Sequence, residues 1–80
     1  MRYDIEIQQM KQFMAVARAG NFTKAAKDLH LSQSALSRST QKLEDEIGQP
    51  LFERRPREVV LTDLGEVFRE RVREILKLTE

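Results

Sequence analysis

Eighty residues, no cysteine and a formal net charge of +1 bound this chain to one small domain near the lower size for a single core, with no disulfide framework or thiolate metal site. No apolar run approaches the ~18 residues of a membrane span, and the opening "MRYDIEIQQM" lacks the regions of a signal peptide. A near-neutral balance does not announce a nucleic-acid partner, so any such reading rests on where the charges sit.

The first helix is predicted from about Ile7 to Ala19. Met10, Phe13, Met14 and Ala17 recur there at the spacing of one buried face. Gly20 stands where a left-handed cap would end it. Thr23 is the expected cap of a short second helix, whose Ala25, Ala26 and Leu29 form a small-residue face. Only a few residues around "HLS" separate it from the third helix, a connection short enough to fix a steep crossing. Ser32 caps that third helix, with Leu31 and Leu36 at the positions of a hydrophobic staple. Leu36, Thr40, Leu43 and Ile47 are its inward stripe; Gly48 and Pro50 end it. Leu51 and Phe52 begin an extended piece, and Val59, Val60 and Leu61 form another. Between them "RRPRE" makes a basic hairpin tip. Thr62 then caps a fourth helix, with Asp63 at its first position, that runs to the chain end.

The third helix is rich in serine, a mediocre helix former. With the stripe inward, its opposite face carries Ser34, Arg38, Gln41 and Asp45, flanked by Ser37 and Lys42. The first two turns of that face hold short polar side chains, one arginine and no acid. Short side chains let a helix sink into a groove, hydroxyls can bond phosphates or base edges, and arginine reads guanine bidentately. Glu44, Asp45 and Glu46 are held back to the last turn, where the helix dipole disfavours them. Keeping acids away from phosphates explains that placement; a solvated charged face is the plain alternative.

The ordered set "FTKAAKDLHLSQSALSRSTQKLEDEIGQPLFERR" and "LTDLG" resembles the N-terminal winged helix-turn-helix domain of LysR-type transcriptional regulators. The resemblance runs from about Ile7 onward. It implies a mainly α fold: a three-helix core, a two-stranded wing and a C-terminal linker helix, divided as a DNA-binding domain over 1–61 and a linker or dimerisation helix over 62–80. It further implies a bacterial, cytoplasmic, nucleoid-associated regulator that binds double-stranded DNA in a sequence-specific way. The third helix would read the major groove and the wing would reach a minor groove. Matched position by position, Gln33, Ser34, Ser37 and Arg38 would face bases and nearby phosphates, and Arg54, Arg55 and Arg57 would serve the wing. Gln41 and Lys42 join the expected contact set from their place on the outward face. A homodimer through the C-terminal helix is implied, with any small-molecule effector held by a C-terminal domain absent from this chain, as from an excised DNA-binding domain. This sequence departs from the family pattern at Thr40, usually isoleucine, at the glycine-free Arg55-Pro56-Arg57-Glu58 tip, and in a short extension before the usual start.

No chemistry competes with binding. His30 is the only histidine and has no cysteine to share a metal, so it reads as solvated or capping. Glu44 and Glu46 point apart on a helix and cannot flank one bond. No glycine-rich phosphate loop is present, and neither an enzyme nor a cofactor is expected. Met10 and Met14 read as core packing, and Gly65 as a close backbone approach to the wing. The fourth helix spreads Leu64, Val67, Phe68, Val72, Ile75, Leu76 and Leu78 over about half its circumference, with one edge for the home core and one for a partner; packing of the whole face on the first helix is the alternative. Glu66–Arg69, Glu70–Arg73 and Glu74–Lys77 are its expected side-chain pairs. The second functional class left open is a winged-helix module whose third helix contacts protein. The "RRPR" wing and the acid-free start of the third helix favour DNA.

Overall fold

The computed structural model describes residues 5–78; the last two residues of the expected fourth helix lie outside that range. The order is α1 (Ile7–Ala19), α2 (Phe22–Leu29), α3 (Gln33–Ile47), β1 (Phe52–Arg54), β2 (Val59–Leu61) and α4 (Asp63–Lys77). This is the mainly helical winged helix-turn-helix expected from the sequence. β1 and β2 pair antiparallel, with Phe52 opposite Leu61 and Arg54 opposite Val59.

Most of the local stops and starts behave as their residue types dictate. Gly20 and Gly48 take positive φ at the ends of α1 and α3. Ser32 Oγ accepts the Ala35 N–H, and Thr62 Oγ1 accepts the Gly65 N–H. His30 caps α2 in the left-handed region, at φ 58°. Thr23 is not the cap of α2. Asn21 is, its Oδ1 accepting the Lys24 N–H at 2.9 Å. Starting the helix there places Phe22 in the core, and burial of an aromatic ring outweighs the choice between two good capping residues.

The core gathers around Phe13. Its ring lies 5.2 Å from Phe52 and 4.9 Å, edge-on, from Phe68, so α1, β1 and α4 share one aromatic cluster. The deeply buried side of α1 is Gln9, Gln12, Phe13 and Val16; the expected Met10, Met14 and Ala17 are only partly buried against it. The face turned because α1 is the central helix, packed against every other helix. Its two glutamines are sheltered and hydrogen-bonded. Gln9 Oε1 accepts the Glu6 N–H, and Gln12 Oε1 accepts from Ser39 Oγ. Thr40, the polar member of the α3 stripe, donates its hydroxyl to the Leu36 carbonyl at 3.0 Å, which satisfies it without a second partner.

α4 shares this core. Val72 is fully buried, and Leu64, Phe68 and Leu76 pack alongside, whereas Val67, Ile75 and Leu78 stay exposed. Of its expected charge pairs, Glu66–Arg69 and Glu70–Arg73 close to 2.7 Å and Glu74–Lys77 does not form. At the start of α4 a Cβ on Gly65 would stand 2.1 Å from the Leu51 carbonyl oxygen and 2.9 Å from Leu61 Cδ2. Gly65→Ala should therefore destabilise the fold by about 1–3 kcal/mol, despite the ~1 kcal/mol that alanine gains in a helix. The urea midpoint measures this; an unchanged or higher midpoint would mean that the backbones are not in contact.

Candidate nucleic-acid interface

α3 is held on each flank by a different element. On the α1 side Ser39 donates to Gln12. At its start Thr23 Oγ1, on α2, donates to Gln33 Oε1 at 3.0 Å. On the wing side Arg54 donates to Ser37 Oγ at 3.2 Å. What remains free is the outward side, where Ser34, Arg38, Gln41, Lys42 and Asp45 are all exposed. The expected reading face is thus one continuous surface, with Gln33 at its entrance and Ser37 at its edge.

The last turn of α3 departs from expectation. Glu44 does not belong to a solvated charged face: it is buried, and its Oε2 accepts the Leu51 N–H at 2.6 Å and the Phe52 N–H at 3.1 Å. A charged acceptor satisfies two backbone donors at the entry to the wing, a strong form of hydrogen bond. Only Asp45 of the three acids is exposed; Glu46 is half-buried. The sequence held a signal for this. Glu44 lies toward the flank of the inward stripe, and the turn through Gly48 and Pro50 must bring the next donors back against the helix.

The wing arginines do three different things. Arg54 lies 4.5 Å above the Phe22 ring and reaches Ser37, so it braces β1 against α2 and α3. Arg55 stands 3.4 Å from Glu53 and 3.9 Å from Glu58, both exposed pairs of small energetic weight. Glu58 therefore offsets a neighbouring cation. Arg57, beside Pro56 at the tip, makes no ion pair among the described residues, and neither does Arg38. The Arg55 N–H donates to the Glu58 carbonyl at 2.9 Å, closing the tip without any positive φ, which is how it dispenses with glycine.

Residues 7–66 match the family model described as bacterial regulatory helix-turn-helix protein, lysR family. The chain belongs to the LysR family. It is a LysR-family helix-turn-helix DNA-binding domain, and the relatives it matches are transcriptional regulators. It is 49% identical to the HTH-type transcriptional regulator TfdT of Cupriavidus pinatubonensis over 95% of this chain and 33% of that protein. With BudR of Klebsiella aerogenes the identity is 46%, over 95% of this chain and 53% of that one. The chain thus spans between a third and about half of the length of these two relatives. Among solved structures, the CbnR_DBD–DNA complex superposes with a TM-score of 0.90 at 47% identity, over 94% of this chain and 86% of that one. The BenM_DBD/benA site 1 DNA complex gives 0.90 at 37%, over 94% and 84%.

Removing the Glu44 carboxylate strands two buried donors at about 1–3 kcal/mol each. Glu44→Ala should lower stability by about 3 kcal/mol and Glu44→Gln, which keeps one acceptor, by less. Equal chemical-denaturation midpoints for wild type and Glu44→Ala would show that the bond is not made in solution.

Proposed function

We propose that this domain binds double-stranded DNA in a sequence-specific way as the reading head of a bacterial transcriptional regulator, with α3 in the major groove and the wing at an adjacent minor groove. The observation that supports this best is the outward side of α3: exposed, acid-free for two turns, and carrying Arg38, which makes no ion pair among the described residues, between short polar side chains. DNA complexes among the similar structures support the same reading. Gln33, Ser34, Ser37, Arg38 and Gln41 supply base and phosphate contacts, with Lys42 at the flank. In the wing, Arg57 is the cation free to enter a narrow A·T-rich minor groove; Arg54 and Arg55 chiefly hold the wing and its phosphates. The role is binding, not catalysis, in the bacterial cytoplasm. We place any small-molecule effector in the length of the relatives that this chain does not span.

Arg38→Ala should weaken the cognate duplex by ~1–3 kcal/mol and relax preference at one base pair, whereas a phosphate contact would weaken cognate and scrambled duplexes alike. Log affinity should fall linearly with log salt. Fluorescence-anisotropy titrations on both duplexes at several salt concentrations decide this. Equal losses on the two duplexes refute direct reading by Arg38, and no salt dependence refutes DNA binding as such.

We further propose that two copies pair through the exposed edge of α4, where Val67, Ile75 and Leu78 remain uncovered at one, two and three turns' spacing. Such pairing sets two reading heads at a fixed separation, as a pseudo-palindromic site requires. Val67→Asp and Leu78→Asp should give folded monomers by sedimentation that retain weak half-site binding and lose cooperativity. Val72→Asp should unfold instead, because Val72 is core. A wild type that stays monomeric at high concentration and on a two-half-site duplex rules pairing out.

A further inference from the structure

Gln41 and Asp45 stand one turn apart on the exposed side of α3, and Gln41 Nε2 donates to Asp45 Oδ1 at 3.0 Å. The chemistry of the pair sets its polarity. A carboxylate at neutral pH only accepts, so it takes the NH2 end of the amide and never the carbonyl end. Gln41 Oε1 is thereby turned away from Asp45, and it has no partner among the described residues. The other amide hydrogen has no partner among the described residues. The pair opens onto a groove of about 440 Å³ that Arg54 and Phe52 also line, between α3 and the wing.

An edge of one oxygen and one N–H is the complement of adenine in the major groove, which presents the N6 amino donor beside the N7 acceptor. Cytosine offers only the donor. Guanine presents two acceptors, N7 and O6, and would set one of them against Oε1. An amide without Asp45 can turn over and serve such acceptors as readily. We propose that Asp45 is a positioning residue that makes Gln41 a reader of adenine. This rests on α3 lying in the major groove, as proposed above. It also accounts for an exposed acid on the reading face, where its charge alone would repel phosphate.

The test retains duplexes from a randomised pool on the eighty-residue chain and sequences them for wild type, Gln41→Ala, Asp45→Ala and Asp45→Glu. All three substitutions lie on exposed helix surface, so circular dichroism should be unchanged. Wild type should show one position where adenine exceeds guanine on the order of tenfold. Gln41→Ala should lose that preference. Asp45→Ala should admit guanine at the same position and leave the others alone, and Asp45→Glu, which keeps an acceptor one turn away, should retain adenine. Adenine preference unchanged in Asp45→Ala overturns the positioning role. A profile unchanged in Gln41→Ala overturns reading by Gln41, while Arg38 reading can still stand. If wild type selects no sequence at all, recognition by α3 fails and this inference falls with it.

Discussion

One carboxylate oxygen of Glu44 binds the N–H groups of Leu51 and Phe52, and the placement of the wing relative to α3 depends on it. A buried acid is costly unless its charge is met, and two backbone donors meet it here. The same peptide is held from the other side. The Leu51 carbonyl accepts the Thr62 N–H at 3.0 Å, and Gly65 lies against it with no room for a Cβ. The Leu51 side chain is wholly buried. α3, the wing and α4 therefore meet at one residue, each through the Leu51 peptide, which leaves little freedom. Thr62 strengthens the joint by capping α4 and donating its hydroxyl to the Pro50 carbonyl at 2.9 Å.

Charge is used sparingly and by position. With a net charge of +1 the chain cannot rely on bulk attraction to a polyanion. Several of its arginines are occupied: Arg69 and Arg73 by glutamates on α4, Arg55 by the two acids that flank the wing tip. Arg54 spends its charge over the Phe22 ring. Arg38 on α3 and Arg57 on the wing make no ion pair among the described residues. A cation on α3 or the wing that holds no ion pair has none to break before it meets an anionic surface.

Features whose cause is local were legible in the sequence. Ser32, Thr62, Gly20 and Gly48 announce helix ends because capping needs only the residue and its next few neighbours. The exposed face of α3 followed from helical periodicity, and the ordered motifs carried the family. What stayed hidden was decided at a distance. The choice of Asn21 over Thr23 turns on where Phe22 can be buried. The rotation of α1 toward Gln9 and Gln12 follows from being surrounded, with Ser39 supplying a partner from a residue far along the chain. Glu44 sits in "EDE" beside two other acids, and only the returning strand separates it from them. Arg54 reads as one more basic wing residue until Phe22 and Ser37 are seen beside it.

The packing of α4 bears on how two copies of this domain could be held together. A linker helix that touched its domain only at one end would let two paired copies swing, and the spacing of their reading heads would be loose. Here Val72 and Phe68 lie in the same core as Phe13, and Gly65 is locked against Leu51. The exposed edge of α4 is therefore rigidly related to α3 through α1 and through the Leu51 joint. A partner seated on that edge would fix the separation and tilt of two recognition helices at once, so much of the ordering cost of binding two half-sites would already be met in the folded protein. Preorganisation of this kind comes from the core, and it is independent of which side chains on α3 touch the bases.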